Sequence, residues 1–532
     1  MICLECNRIN KFTRSICAEC GSDLSFNFVE EVQPAMDYFK NEREASSFIN
    51  YGVLYTDFVA LSQKMDRAVL ESLIAEFIYF FEKKDLKILV LDASENRIEN
   101  LYHSPWEAHV ELVKKSYDEL KRYNIRSPRF LFILGSDDVI PQPIIRYHEY
   151  VQSHDLDCDS DLPYSVLQSN SFDTNYWELG DADYFNEKWA VGRLPVLDDV
   201  FIANYFSKVY SFFSSTQNHS KHSSGVYGLS DEEWKGLSFG VLNDISKNVD
   251  LHISPPLNLE SIDECFDKNA EFYYFNLHGS NSQHYWSSWG GQWIDVISSF
   301  QITEINNFNF VGVEACYGAL MHPENFNKNN QFVSSETTLV NALAAKTIAL
   351  VGSSRIAWGS PEAIPPILCA DLIIHIFLKS MIVDGLSSGA AFINARKACF
   401  LELVNHLEVD NDYFIQLATI AQFNLYGIPF GLGSEFIDKK WEDSFVDSDL
   451  TLPSVELPEI YAEVVNEVDE QLERINTILG EKIRNEDSWV SESKPKIIKF
   501  KKSISFAFSK EKRYVIYTTD YEGNIINKIY SK

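Results

Sequence analysis

Short apolar runs recur through this chain, each followed by a longer stretch whose apolar residues are spaced as on one face of a helix. The runs are Leu86–Leu91, Phe130–Leu134, Val226–Leu229, Phe272–Leu277, Phe310–Val313 and Thr347–Val351. Helical spacing occupies Met65–Lys84, Trp106–Tyr123, Phe201–Phe213, Thr338–Ala345, Pro366–Val383 and Gly389–Val404. In the first of these, Leu70, Leu73, Ile74, Phe77, Ile78 and Phe81 fall on one side. Strands that alternate with helices predict an α/β fold around a mainly parallel sheet. The polar stretch Ser214–Ser224 has no apolar periodicity and divides the pattern into two tandem α/β subdomains, 29–215 and 220–435.

An open parallel sheet gathers chemistry at the carboxyl ends of its strands. Two of these runs end on reactive residues. Phe272–Leu277 leads into His278-Gly279-Ser280, and Phe310–Val313 leads through Glu314 and Ala315 into Cys316-Tyr317-Gly318. A thiol and an imidazole on one sheet edge make a cysteine nucleophile with its acid/base partner, which points to a cysteine peptidase. His284 and His322 lie near in sequence, but neither ends an apolar strand.

The ends of the chain have a different character. Cys3-x2-Cys6 and Cys17-x2-Cys20 are two knuckles, with Gly21 after the second, and four thiolates at this spacing predict a structural zinc ribbon within 1–28. Asp438 to Pro458 is acidic and contains proline, as a linker does, and Ile460, Val464, Val465, Val468, Leu472, Ile475 and Leu479 form a helical stripe within 436–490. The segment 491–532 alternates like strands around turns at Ser509–Lys512 and Glu522-Gly523-Asn524. From Val490 onward it carries ten Lys and Arg against four Asp and Glu, so it is a small basic β tail suited to docking on the acidic body.

The whole chain is acidic, with 46 Lys and Arg against 77 Asp and Glu over 532 residues and a formal net charge of −31. A field of that sign repels nucleic acid and anionic membrane and attracts cationic substrates. In the ribbon only Arg8, Lys11 and Arg14 are basic, which argues against nucleic-acid binding there. No apolar run reaches the roughly 18 residues that a membrane span needs. The nine cysteines are an odd number. With no basic-then-apolar leader at the N-terminus, they suit a reducing, cytoplasmic setting.

Taken in order, several segments resemble the gingipain-type (peptidase C25-like) branch of the caspase-like cysteine peptidases, over roughly residues 85 to 432. The segments are Phe130-Leu131-Phe132-Ile133-Leu134-Gly135-Ser136-Asp137-Asp138-Val139-Ile140-Pro141, then Ser160-Asp161-Leu162-Pro163-Tyr164, Gly180-Asp181 and Val191-Gly192-Arg193-Leu194-Pro195. His278-Gly279-Ser280, Glu314-Ala315-Cys316-Tyr317-Gly318, Val351-Gly352-Ser353-Ser354-Arg355 with Trp358, and Asn424-Leu425-Tyr426-Gly427-Ile428-Pro429 complete the set. The family usually has Asp where this chain has Ile428.

The resemblance implies a caspase-like parallel-sheet sandwich and a peptidase that needs no catalytic cofactor. It implies that Cys316 attacks, that His278 is the acid/base, and that backbone N–H groups of Cys316 and Gly279 hold the oxyanion. It also implies that Asp231 orients His278, and that Glu232, Glu233, Ser353, Arg355 and Trp358 belong to the pocket for the residue before the cut. Basic-specific members use acids near Asp231, which suggests cleavage after Arg or Lys; a pocket Arg355 would instead favour acidic substrates. Asp155, Asp157, Asp159 and Asp161 form an oxygen-rich cluster without EF-hand spacing. Neither the ribbon nor the basic tail belongs to the resemblance. Extra segments at both ends suit a peptidase restrained by a partner or activator, as in bacterial signalling or defence. The alternative is a catalytically silent scaffold or adaptor whose zinc ribbon binds a partner.

Overall fold

The structure is a computed structural model, and it describes residues 50–95, 105–122, 129–146, 157–168, 177–178, 185–215, 225–246, 249–262, 270–279, 284–289, 292–304, 309–321, 338–359, 369–406, 411–431, 477, 496–499, 504–510, 513–520 and 523–531. Cys3, Cys6, Cys17 and Cys20, the segment Asp438 to Pro458 and every residue of the helical stripe after it lie outside the described residues, as do Asp155 and His322.

Ten strands form one continuous sheet. In chain order they are β1 (Asn50–Thr56), β2 (Leu86–Asp92), β3 (Phe130–Leu134), β4 (Ala190–Leu194), β5 (Val226–Asp231), β6 (Val249–Ser254), β7 (Phe272–Asn276), β8 (Phe310–Val313), β9 (Ala349–Ser353) and β10 (Phe423–Gly427). Their order across the sheet is β2-β1-β3-β4-β10-β9-β8-β7-β5-β6. Every neighbouring pair is parallel except β9 with β10, which run antiparallel from Ala349↔Gly427 to Ser353↔Phe423. The sheet is thus two parallel five-stranded halves of opposite direction, joined at one antiparallel seam.

The central strands are buried on both faces, as in Phe130–Leu134, Phe272–Asn276 and Ala349–Ser353. Continuous burial explains why these segments read as unbroken apolar runs rather than alternating ones. Helices cover the sheet: α1 (Arg67–Glu82), α2 (Pro105–Arg122), α3 (Asp199–Ser215), α4 (Lys235–Ile245), α5 (Leu339–Lys346), α6 (Cys369–Ile382), α7 (Ser388–His406) and α8 (Asn411–Gln422). Local sequence sets their limits. Asp66 accepts from the N–H groups of Ala68 and Val69 to start α1, and Leu70, Ile74, Phe77, Ile78 and Phe81 then bury its inner face. Thr338 caps α5 through the N–H of Asn341. A side chain at Gly312 would meet Ile374 Cγ2 at 2.6 Å, so glycine there lets α6 lie close against β8.

The expected α/β class with a mostly parallel sheet is what forms, and the two tandem subdomains share one sheet. Four strands were not among the apolar runs read from sequence, β4 (Ala190–Leu194) being one of them. β1 lies before the expected start of the pattern, β6 is a half-buried edge strand, and β10 is inserted between the halves. A hairpin, His284–Trp289 with Gln292–Ser298, was also unanticipated; it pairs with His278-Gly279 through His278↔Trp286 and Gly279↔Tyr285.

A buried ion pair fixes the first half. The Arg193 guanidinium on β4 meets Asp161 from Nη2 to Oδ1 at 2.7 Å and from Nε to Oδ2 at 2.9 Å, and Nη1 donates to the carbonyls of Gly135 and Ile140. Neither side chain reaches solvent appreciably. Burial alone would lower the Arg193 pKa, but the adjacent Asp161 carboxylate more than offsets it and the net shift is upward. Three of the segments that carry the resemblance (around Ile140, Asp161 and Arg193) are therefore one connected structure.

After residue 494, the strands Lys496–Lys499, Ile504–Lys510, Arg513–Thr519 and Ile525–Ser531 form an antiparallel sheet. Its last strand pairs with the short strand Trp358–Gly359 of the main body.

Candidate active site

Four adjacent strands of the second half, in the order β9-β8-β7-β5, end on the same edge of the sheet. Just past those ends lie Arg355 after β9, Cys316 after β8 and His278 after β7, while Asp231 closes β5 itself. Residues far apart in sequence meet because parallel strands deliver their carboxyl ends together.

Cys316 and His278 are 2% and 3% exposed, and Asp231 is fully buried. Asp231 works at two oxygens. Its Oδ1 accepts from the N–H of Glu233 at 2.7 Å and caps the following 3-10 turn, while Oδ2 faces His278 Nε2 at 3.8 Å. The His278 imidazole is held between two indoles, Trp234 with ring centroids 4.4 Å away and Trp293, edge-on, at 4.8 Å. Trp234 comes from the turn after Asp231 and Trp293 from the hairpin that pairs with His278.

The thiol lies beside the β9 exit: Cys316 Sγ is 3.6 Å from the carbonyl oxygen of Ala357. The turn that bears it is tightly specified. Tyr317 adopts φ +53°, its N–H donates to the carbonyl of Arg355 at 2.8 Å, and the N–H of Gly318 donates to Ala315 at 3.0 Å. Those two amides are already engaged within the protein. Tyr285 of the hairpin donates its hydroxyl to the carbonyl of Gly318 at 2.6 Å, which ties the His278 side of the site to the Cys316 turn. Gly279 makes the closest approach. A Cβ built on it would lie 2.0 Å from the Cys316 carbonyl oxygen, so only glycine fits between the two loops.

Beneath the edge is a buried polar network absent from the sequence expectations. Tyr274 donates to Glu314 at 3.0 Å, Asn276 donates to Ser238 and to Tyr274 at 3.0 and 3.1 Å, and Ser238 meets Ser230 at 2.8 Å. Burial, reinforced by the Glu314 charge, pushes the Tyr274 hydroxyl well above its ordinary range, so it stays a donor. The network joins α4 to β5, β7 and the end of β8. It fixes the strands on which His278, Cys316 and Asp231 are mounted.

The pocket residues expected from sequence divide into three kinds. Ser353 and Arg355 are internal to the β9 exit: Ser353 Oγ donates to the Arg355 carbonyl at 3.0 Å and accepts from its N–H. The Arg355 guanidinium faces Asp159 at 3.3 Å, so its charge is met by a carboxylate from the first half of the chain. Trp358 is buried. Glu232 and Glu233 are exposed on the 3-10 turn, with Glu232 directed at Lys235, 3.5 Å away; the residue of this turn that packs on His278 is Trp234. Of the aspartate cluster, Asp159 and Asp161 face Arg355 and Arg193, an arrangement in which arginines neutralise the acids.

Sequence comparison agrees with this geometry. Peptidase family C25 matches residues 107–429, a span that contains all four strand ends of the site. The chain therefore belongs to peptidase family C25 and is a cysteine endopeptidase. Among solved structures, the crystal structure of the Arg-specific cysteine proteinase gingipain R (RGPB) is similar over 71% of this chain and 77% of its own, at 12% identity and a TM-score of 0.45. The complex of Porphyromonas gingivalis RgpB pro- and mature domains is similar over 71% and 78%, at 11% identity and a TM-score of 0.45. A structure described only as a protease is similar over 90% of this chain and 97% of its own, at 11% identity and a TM-score of 0.45. No curated protein matches the sequence.

Proposed function

We propose that this endopeptidase cuts polypeptides after Arg or Lys, with Cys316 as nucleophile and His278 as its acid/base partner. The observation that carries the reading is the meeting of the His278-Gly279 strand with the Cys316 turn, with the Asp231 carboxylate behind the imidazole. A free thiol has a pKa near ~8.5 and is a weak nucleophile at neutral pH, so the imidazole favours the thiolate. Cys316 attacks the scissile carbonyl, and the carbon–sulfur bond forms as the carbonyl electrons move to oxygen. The N–H groups of Cys316 and Gly279 receive that oxyanion. His278 protonates the leaving amine, then takes a proton from water, which releases the acyl group from sulfur. Asp231 holds the ring and favours its cationic form.

Preference for a basic residue is supported by two features. The charge of Arg355 is met by Asp159, which leaves little positive field for an acidic side chain, and the chain as a whole is strongly acidic. Trp358 is the candidate wall for the aliphatic stem of Arg or Lys. A cytoplasmic setting fits Cys158, Cys316 and Cys399, none of which is in a disulfide. A structural zinc on Cys3, Cys6, Cys17 and Cys20 and restraint by a partner or activator complete the proposal. Metal analysis that finds about one zinc per chain, lost in a Cys3→Ser/Cys6→Ser variant, checks the first.

The decisive experiment treats a peptide library with the native chain, Cys316→Ala and His278→Ala, and reads cut sites by mass spectrometry. Cuts after Arg and Lys by the native chain alone are expected. Cuts that persist in both variants would remove the dyad, and cuts mainly after Asp or Glu would remove the basic pocket.

A further inference from the structure

The last strand of the basic tail pairs with the short strand that begins one residue after Ala357, beside the Cys316 thiol. Ile525–Ser531 runs antiparallel to Trp358–Gly359, with Trp358↔Ser531 and Gly359↔Tyr530 in register. The residue before Trp358 is Ala357, whose carbonyl lies 3.6 Å from Cys316 Sγ. The tail strand therefore advances toward the thiol with its carboxyl-ward end leading. That is the polarity required of the residues that precede a scissile bond, since they must bring their carbonyl to the nucleophile. An extended peptide needs a free strand edge for its main chain, and here the edge beside Cys316 is already paired. Cys316 and His278 are almost without solvent exposure.

We propose that Ile525–Ser531 is a substrate-like strap that occupies the peptide-docking edge of the active site and holds the enzyme closed until a substrate or partner displaces it. This inference rests on the peptidase reading for its meaning, but its physical content is occlusion of Cys316. The strap belongs to a small sheet of net basic charge on an acidic body, so the contact weakens with salt as well as by competition. The same edge then serves two occupants, one in cis and one in trans, and activation is an exchange between them.

The test uses the full chain and a Tyr530→Pro/Ser531→Pro variant, because proline has no N–H for the ladder. The first readout is the rate of Cys316 alkylation by iodoacetamide, located by peptide mapping. The second is turnover of a fluorogenic peptide with Arg or Lys before the reporter. Both should rise about tenfold or more, the reciprocal of an open fraction near one in ten. A synthetic peptide of residues 525–532 should restore protection. Hydrogen exchange at Trp358 and Gly359 confirms that the strand has left, and a variant with 525–531 replaced by Gly and Ser stands in where the prolines leave it paired. Alkylation unchanged from the native chain once the strand has left overturns the strap. Faster alkylation with no turnover keeps the strap and overturns the peptidase reading. Equal turnover by native and variant chains keeps the peptidase and overturns the strap.

Discussion

Replacing Gly279 by alanine adds one methyl group and should disable the site without unfolding the protein. A Cβ at this position would sit 2.0 Å from the Cys316 carbonyl oxygen and 3.1 Å from the Ala315 side chain. Carbon and oxygen that are not bonded rarely approach closer than about 3 Å, so the His278 strand and the Cys316 turn must part by about 1 Å. Neither can give easily. The Cys316 turn is held by the Tyr317 and Gly318 amides, and the His278 strand is held by the hairpin. Displacement of about 1 Å between reacting groups lowers rate by about 10²-fold, equivalent to about 2.7 kcal/mol of activation free energy. Overpacking of this kind destabilises a fold by roughly 1–3 kcal/mol, which a domain with this core tolerates. The assay is kcat/KM on an Arg or Lys peptide, with the tail strand released so that access does not limit the rate. Gly240→Ala is the control, because a Cβ there meets nothing within 4 Å. If Gly279→Ala keeps more than about a third of native kcat/KM, the two loops are not in the catalytic contact described.

Asp231→Asn keeps the oxygen that caps the 3-10 turn but removes the charge facing His278. It should lower kcat by about ten- to a hundredfold, with the basic limb of the pH–rate profile, where the imidazolium that protonates the leaving amine is lost, moved down and the melting temperature nearly unchanged; an unaltered profile would refute an orienting role. Arg193→Met leaves the buried Asp161 carboxylate unpaired and should lower unfolding free energy by about 3–5 kcal/mol in urea, while Arg193→Met/Asp161→Leu recovers part of it; a loss under about 1 kcal/mol for the single change would contradict the structure. His109, which bonds Tyr55 at 2.6 Å, has its pKa lowered from 6.5 to about 4 by burial and by nearby Arg193. Because the unfolded chain protonates first, stability should fall as pH drops below 6.5, by about 2 kcal/mol between pH 7 and pH 5, and level off below about 4. His109→Gln should flatten that slope in urea titrations, and an unchanged slope would assign it elsewhere.

Cys316 and His278 could be singled out as candidates because each follows a strand buried on both faces, and such strands read as unbroken apolar runs. Asp231 entered only through the family resemblance, and it closes β5 with Oδ2 3.8 Å from His278 Nε2. Trp234 and Trp293 could not be singled out, because one sits in a short turn and the other in a hairpin, and only tertiary pairing brings them to His278. The reading of Arg355 as a pocket cation depended on its neighbour, Asp159, which comes from the other half of the chain. Glu232 and Glu233 were placed by proximity in sequence to Asp231, yet the 3-10 turn directs Trp234 inward and leaves both glutamates outside. β1 was missed because Asn50–Thr56 mixes polar and small residues with Val, Leu and Tyr. β10 was missed because nothing local reveals that a late segment will enter the middle of a sheet. The peptide-like docking of the tail was visible in sequence only as basic, alternating residues, since register is set by the strand it meets.

The antiparallel seam has a consequence for how the protein is made. β10 is the last of the ten strands to leave the ribosome, yet it is the one that joins the halves. Until it arrives, β4 and β9 are open edges, each ready to pair with another chain. The segment from β5 to β9 can gather every reactive group before the seam closes, but the tail strand emerges later still. A nascent chain therefore passes through an interval in which the thiol edge is assembled and unguarded. Slow elongation across 423–531 would lengthen that interval, so ribosome stalling there should raise both aggregation and premature activity.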